Sequence, residues 1–186
     1  EKKLEFNEKL KYVTNKVNSA KNIDEILLDL KNDIQGLFDV DRMTIYAIDT
    51  LKDELYSKFM TGTEVNEIRV PISPASLAGY TAYSMDTINI ADVYDDKALK
   101  GINAKLSFNK SWDEKTGYRT KQVLVTPIRF ENQLFGIIQL INKKDGDTFT
   151  ADDEMNVKEI ARIIGIAFRN QTKMVQTRFN SLISQG

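Results

Sequence analysis

Two clusters of carboxylates are the residues in this sequence whose types and spacing could do chemistry. They are Asp92, Asp95 and Asp96 in one segment, and Asp152, Asp153 and Glu154 in another. Grouped carboxylates can bind Mg²⁺ or act as general acids and bases. They can also stabilise the first turn of a helix or remain exposed to solvent. Helix capping and solvent exposure need fewer assumptions than a functional site, so we predict neither a metal site nor catalysis at these positions.

The composition removes most other kinds of catalytic site. The 186 residues include no cysteine and no histidine, which excludes thiolate nucleophiles, Ser-His-Asp triads and histidine-ligated haem. With 26 basic and 27 acidic residues, the formal net charge of −1 indicates no nucleic-acid partner. No apolar run approaches the roughly 20 residues that span a bilayer, so we expect no membrane partner. The lack of cysteine fits a reducing cytoplasm, which is the expected location.

The most specific spacing joins the last predicted strand to the last predicted helix. Asn142 and Lys143 end an apolar run, and Phe149 follows in a short loop. Asp153 and Glu154 then lie in the first turn of a helix. An ion pair between Lys143 and Asp153 would hold the turn, and burial of Phe149 would anchor the loop. We call these five residues the clasp, because the pattern indicates a structural element and not a catalytic centre.

Helices and an antiparallel sheet must position these residues. Apolar residues recur at helical spacing in residues 4–20 and 23–37, and Asn22 with Glu25 forms an N-capping pattern before the second helix. The predicted strands cover residues 43–49, 54–59, 67–71, 87–90, 122–130 and 134–143. Short helices are predicted at residues 74–84 and 97–102, and a long one from Thr150, its N-cap, to about residue 182. Residues 104–115 have no readable period and are predicted to form a loop.

This order of elements predicts an α+β fold, with an antiparallel sheet and helices segregated on one face. The last helix is longer than one domain needs, and its apolar seam continues almost to its end. The seam comprises Val157, Ile160, Ala161, Ile164, Phe168, Gln171, Val175 and Leu182. We expect the seam to cover its own sheet up to about Phe168. Beyond that residue we favour a homodimer through residues 4–20 and 157–182.

With these elements in place, the chain resembles a GAF domain, in particular the cyclic-nucleotide-binding GAF domains of phosphodiesterases and adenylyl cyclases. The resemblance covers about residues 23–170, and the clasp meets the family motif Asn-Lys-x(n)-Phe-x(3)-Asp-Glu in full. Other matching fragments follow in order: Arg42-Met43-Thr44, Ser57-Lys58, Glu67-Ile68-Arg69-Val70-Pro71, Leu77-Ala78-Gly79, Asn89-Ile90-x-Asp92-x-Tyr94, Thr116-Gly117-Tyr118-Arg119-Thr120 and Gly165-Ile166-Ala167. The implied GAF/PAS-like fold is a six-stranded antiparallel sheet, with the terminal helices on one face and a ligand pocket on the other. The clasp would then shape the pocket or hold the fold, and direct ligand contact is less favoured.

The resemblance also implies a set of ligand-binding residues. They are Thr44, Met60, Thr61, Leu77, Ala78, Lys100, Trp112, Thr116, Thr120 and Gln139. The amides of Leu77 and Ala78 would receive a cyclic phosphate at a helix N-terminus, unless these two residues are simply core. Thr116 and Thr120 would donate hydroxyls to the phosphate or sugar.

The remaining residues of this set would reach the pocket from the sheet or from its cover. Thr44 and Gln139 would project from the sheet, and Met60 and Thr61 would read the base. Lys100 stands where the family often has an aromatic residue. An extra segment between Ile102 and Thr116 brings Leu106, Phe108 and Trp112, which could form a lid or fill the pocket. Trp112 could also stack on a base.

The resemblance therefore implies a regulatory domain that is not an enzyme, has no cofactor and binds cAMP or cGMP. Binding would alter the terminal helices and so bias a linked effector domain. The alternative is a GAF-fold dimerisation module with a filled pocket or a different small-molecule ligand. The predicted organisation is an N-terminal helix or linker at residues 1–21, the GAF domain at residues 22–170 and a helical extension at residues 171–186. That extension would lead to an effector domain outside this chain.

Overall fold

A six-stranded antiparallel sheet organises the computed structural model, which describes residues 2–185. Glu1 and Gly186, the first and last residues of the predicted domain organisation, lie outside the described part. The side chains of Lys2 and Val175 also lie outside it. The strands are β1 (Val40–Asp49), β2 (Glu54–Thr61), β3 (Glu64–Pro71), β4 (Ile88–Ile90), β5 (Val123–Phe130) and β6 (Gln133–Lys143). The helices are α1 (Lys2–Asn18), α2 (Ile23–Leu28), α3 (Lys31–Gln35), α4 (Leu77–Ser84), α5 (Asp96–Ile102), α6 (Ser111–Thr116) and α7 (Ala151–Ser184). The strand order across the sheet is β3-β2-β1-β6-β5-β4.

The two faces of the sheet carry separate cores. Met43 and Ile45 of β1 belong to the core beneath α1, α2, α3 and α7, which we call the helix face. Tyr46, on the other side of the same strand, belongs to a second core with Leu77 of α4 and Leu99 of α5. Neighbouring residues of a strand point to opposite faces, so a single strand can serve both cores. The predicted α+β fold, with the terminal helices on one face, is confirmed.

The predicted helix at residues 23–37 is wrong in one respect, because it is broken into α2 and α3. Its N-cap is present, since the Glu25 N–H donates to Asn22 Oδ1 at 2.8 Å. The break follows Leu28, where the Leu30 N–H donates to the Glu25 carbonyl five residues earlier, at 3.0 Å. The change of direction allows α2 to pack on β2 and α3 to pack on β1.

The predicted loop at residues 104–115 contains a short helix, α6, that the apolar pattern did not indicate. The helix ends at Gly117, whose φ of 73° is left-handed. Glycine is common at this position after a helix because it has no Cβ to clash. Pattern reasoning missed α6 because the helix has no apolar stripe, and its only buried residue is Asp113.

Helix α7 continues well past the domain, but its intramolecular contacts reach further than predicted. Gln171 Nε2 donates to the Ala20 carbonyl at 2.7 Å, so Gln171 ties α7 to the segment that follows α1. After Gln171, the large apolar side chains of α7 in the described part are exposed: Met174, Phe179, Leu182 and Ile183. Within residues 2–185, no helix combines the length and apolarity required to cross a membrane.

Candidate ligand-binding site

Two polar residues lie side by side on the sheet face opposite the helix face, which we call the site face. Thr44 of β1 is in register with Gln139 of β6, and Gln139 is in register with Val125 of β5. Thr44 and Gln139 are half-buried. Neither side chain has a hydrogen-bond partner among the described residues. The structure therefore brings together two of the predicted site residues, with polar groups free to bind a ligand.

Helix α4 forms one wall above this face. The Gly79 N–H donates to Ser76 Oγ at 3.1 Å, so Ser76 is the N-cap of the helix. Leu77 and Ala78 are its first two residues, and their N–H groups therefore have no acceptor within the helix. Their side chains are buried in the core of the site face. The core interpretation and the amide-donor interpretation of Leu77 and Ala78 are thus compatible.

The segment at residues 103–120, which we call the lid segment, covers the site face from above. Leu106 is fully buried in the core of that face. Its carbonyl accepts from Lys100 Nζ at 2.6 Å, which gives Lys100 a structural contact. The Ser107 N–H donates to the Ala75 carbonyl at 3.2 Å, so the lid segment is also attached beside α4. Trp112, in contrast, is 62% exposed and belongs to neither core.

Asp113 is the buried carboxylate of the lid segment, and it holds Thr120. The carboxylate accepts from the Thr120 N–H at 2.8 Å and from Thr120 Oγ1 at 2.9 Å. It also accepts from the Tyr94 hydroxyl at 2.7 Å. Burial raises the pKa of Asp113, but the bonds from Thr120 and Tyr94 outweigh burial and hold that pKa below its ordinary value. Thr116, also predicted to bind ligand, is exposed, and its hydroxyl donates to the Trp112 carbonyl at 2.7 Å.

The structure does not bring Met60 to the site face. In β2, Met60 lies two residues after Lys58 and so points to the same face of the sheet. That face is the helix face, because Lys58 Nζ lies 2.7 Å from Asp24 Oδ2 of α2. Thr61 points to the other side, but it is exposed and accepts from Asn66 Nδ2 at 2.9 Å. Because strand neighbours face opposite ways, only one of these two residues can point toward the site.

The clasp holds the junction between β6 and α7. Lys143 Nζ lies 2.9 Å from Asp153 Oδ2, and the two side chains are only 12% and 26% exposed. The hydrogen bond to Asp153 raises the pKa of Lys143. Asp153 also accepts from the Thr150 N–H at 2.7 Å, which completes a capping box at the start of α7. Phe149 is buried at 5% exposure.

Asn142 has a further role that the sequence did not reveal. Its Oδ1 accepts from the N–H groups of Lys121 and Gln122, at 2.8 and 3.0 Å. Its Nδ2 donates to the Tyr118 hydroxyl and the Arg119 carbonyl, both at 2.8 Å. A left-handed φ of 55° places the side chain between these groups. The clasp therefore fixes the end of the lid segment as well as the start of α7.

Two open grooves have linings that include neither Thr44 nor Gln139. A groove of about 850 Å³ lies among α4, β4, β5 and α7, and Glu154 of the clasp lines it. A second groove, of about 520 Å³, lies between Phe6 of α1 and the clasp residues Lys143, Phe149 and Asp153. The first turns of α1 are thus placed next to the junction that holds α7.

Proteins with similar sequences include two cyclic nucleotide phosphodiesterases. The chain is 32% identical over 160 residues to the probable 3′,5′-cyclic phosphodiesterase pde-5 of Caenorhabditis elegans, covering 80% of this chain and 20% of the relative. It is 29% identical over 194 residues to the dual 3′,5′-cyclic-AMP and -GMP phosphodiesterase 11A of Takifugu rubripes, covering 90% of this chain and 20% of the relative. The chain therefore spans about a fifth of the length of these curated relatives.

Solved structures share the fold at low sequence identity. The GAF domain of a phosphoenolpyruvate-protein phosphotransferase from Coxiella burnetii has a TM-score of 0.71 and 16% identity, covering 92% of this chain and 96% of that one. The free methionine-R-sulfoxide reductase of Neisseria meningitidis has a TM-score of 0.68 and 16% identity, covering 91% of each chain. The family model for the GAF domain matches residues 22–168. This chain belongs to the GAF domain family.

Proposed function

We propose that this chain is a non-enzymatic regulatory domain that binds a cyclic nucleotide, cAMP or cGMP, on the site face. The observation that carries the proposal is the pair formed by Thr44 and Gln139, half-buried polar side chains without hydrogen-bond partners among the described residues. Polar side chains that are partly accessible and have no hydrogen-bond partner among the described residues can bond to a ligand with complementary groups. The similarity to cyclic nucleotide phosphodiesterases supports a nucleotide as that ligand.

The arrangement around this pair suits the parts of a cyclic nucleotide. The base and sugar would meet Thr44 and Gln139 on the sheet. The phosphate would lie at the N-terminus of α4, where the amides of Leu77 and Ala78 and the helix dipole favour an anion. Thr120 would lie on the lid segment above. No cofactor takes part in this proposal.

The clasp supports transmission of the binding signal to a linked effector. Asn142 bonds to the end of the lid segment, and the adjacent Lys143 bonds to Asp153 in the first turn of α7. Movement of the lid segment would therefore act on the start of α7. A ligand can produce such a change only by binding one arrangement more tightly than the other.

A second candidate function is dimerisation through the terminal helices. The exposed apolar side chains of α7 after Gln171 favour it. In this alternative the pocket is filled by the chain itself, and Leu106 occupies the core beneath the lid segment. Sedimentation velocity of the full chain and of a chain ending at Gln171 tests this candidate. We expect concentration-dependent association of the full chain and none of the shortened one.

The leading proposal is tested by titrating the protein with cAMP and cGMP, using calorimetry and thermal shift. We expect one site per chain and a melting temperature that rises with ligand concentration. Gln139→Met removes the amide at similar size and is expected to weaken binding about tenfold or more, as for a lost polar contact. Gln133→Met, at the exposed start of the same strand, is the matched control. Absence of binding at concentrations up to about 1 mM would refute the proposal, since tighter ligands stabilise measurably there.

A further inference from the structure

Helix α6 is attached to the domain by a charged group. Asp113 is its only buried residue, at 7% exposure, while Trp112 and Glu114 are exposed. A surface helix is ordinarily held by an apolar stripe along one side. With no such stripe, the position of α6 depends on the hydrogen bonds that the Asp113 carboxylate accepts.

Tyr94 is the group on which the lid segment converges. Phe108 packs against its ring with centroids 5.5 Å apart, and the Arg119 guanidinium lies 3.6 Å from the ring centroid. The Lys110 ammonium lies 5.0 Å from the same centroid. The hydroxyl of Tyr94 donates to Asp113 at 2.7 Å. Tyr94 itself precedes α5 and lies outside the lid segment, so these four contacts attach the lid segment to a separate part of the chain.

We infer that Tyr94 and Asp113 form a latch that keeps the lid segment closed over the site face. Tyr94 is the fixed anchor, and Asp113 is the positioning residue that holds both α6 and Thr120. Hydrogen bonds to a carboxylate are stronger than those between neutral groups, which suits a helix held at one point. No ligand is needed for this closure, because every contact is between residues of the chain.

The latch has a consequence for ligand binding, and this part rests on the proposed function. The Thr120 hydroxyl donates a hydrogen bond to Asp113 at 2.9 Å and so is not free to donate to a phosphate or sugar. A ligand that accepts a hydrogen bond from this hydroxyl must first break the bond between Thr120 and Asp113. The latch therefore sets how often the lid segment opens and how fast a ligand enters.

The test is hydrogen exchange of the protein without ligand, measured by mass spectrometry. Tyr94→Phe removes only the hydroxyl and leaves the ring contacts in place. We expect amides in residues 110–117 to exchange about tenfold faster or more, as for loss of a hydrogen bond to a charged group. Exchange in β5 and β6 should not change. Tyr83→Phe is the matched control, because Tyr83 is an exposed tyrosine, at 62% exposure, on α4.

Two results would overturn the latch. One is unchanged exchange of residues 110–117 in both Tyr94→Phe and Asp113→Asn. The other is global unfolding of Tyr94→Phe, seen by circular dichroism, which would make Tyr94 a general determinant of stability. The effect on binding is measured separately, by stopped-flow association of cAMP or cGMP, which should be faster in Tyr94→Phe. If no nucleotide binds the unmodified protein, the proposed function fails, while the exchange result still decides whether the latch exists.

Discussion

The ion pair between Lys143 and Asp153 can be isolated by a double-mutant cycle. Lys143→Met removes the ammonium and keeps the aliphatic part of the side chain. Asp153→Asn removes the charge but keeps an oxygen that can accept from the Thr150 N–H, so the capping bond at the start of α7 survives. The two changes together therefore report the ion pair without the helix cap.

The expected energy follows from the burial of the pair. Exposed ion pairs contribute about 0–1 kcal/mol, whereas breaking a buried pair costs about 3–5 kcal/mol. With the two side chains 12% and 26% exposed, the pair lies between these cases. We expect each single change to lower the free energy of unfolding by about 1.5–3 kcal/mol, with a coupling energy of about 1–2 kcal/mol.

Urea unfolding followed by far-ultraviolet circular dichroism measures these energies. Asp145→Asn is the matched control, because Asp145 Oδ2 lies 3.7 Å from Lys143 Nζ and its side chain is 49% exposed. That change should cost less than about 0.5 kcal/mol. A coupling energy between Lys143 and Asp153 below about 0.3 kcal/mol would refute the idea that their ion pair holds the junction.

The pH dependence of the same pair has a defined sign. The hydrogen bond to Asp153 raises the folded-state pKa of Lys143 above its ordinary value of 10.5. The stabilisation is therefore fully present below that value and is lost as the pH rises through the folded-state pKa. Unmodified protein should lose stability in this alkaline range by more than Lys143→Met does. Equal losses would indicate that the charge of Lys143 does not stabilise the fold.

Three further predictions test the core, the clasp and the sheet. Leu106→Ala should lower the free energy of unfolding by about 2–5 kcal/mol in urea, because Leu106 is fully buried; a cost below about 1 kcal/mol would mean that the lid segment packs loosely. Asn142→Gly keeps the left-handed backbone but removes the side-chain bonds, so amides in residues 118–122 should exchange faster; unchanged exchange would contradict their dependence on Asn142. Gly136→Ala would place a Cβ 2.0 Å from the Tyr46 carbonyl oxygen, so we expect little folded protein by circular dichroism, and a native-like spectrum would contradict this contact.

Features with short-range causes could be predicted from the sequence. Asn22 with Glu25, and Thr150 with Asp153, cap helices through contacts only three residues apart, so the residues themselves identify the helix starts. Strand positions followed from alternation and apolar runs. The ion pair of Lys143 with Asp153 could also be anticipated, because a strand end and the next helix start lie close together in the chain.

Features that depend on distant contacts could not be predicted in the same way. Asp113 lies in a segment predicted to be a loop, and its bond from Tyr94, 19 residues away, exists only in the folded chain. Asn142 matched a motif, but its bonds to the chain around Tyr118, 24 residues away, appear only in the folded structure. The site-face position of Thr44 needs the register with Gln139, and alternation alone left Met60 and Thr61 undecided.

The sequence by itself determined the α+β class, the exclusion of cysteine and histidine chemistry, and the clasp between the last strand and the last helix. These follow from composition, periodicity and local spacing, which involve residues close together in the chain. The tertiary structure decided that Gln171 bonds to the Ala20 carbonyl, that α6 is attached through Asp113, and which polar residues share the site face. The physical reason is that hydrogen bonds and burial at these positions are made by chain segments that only folding brings together.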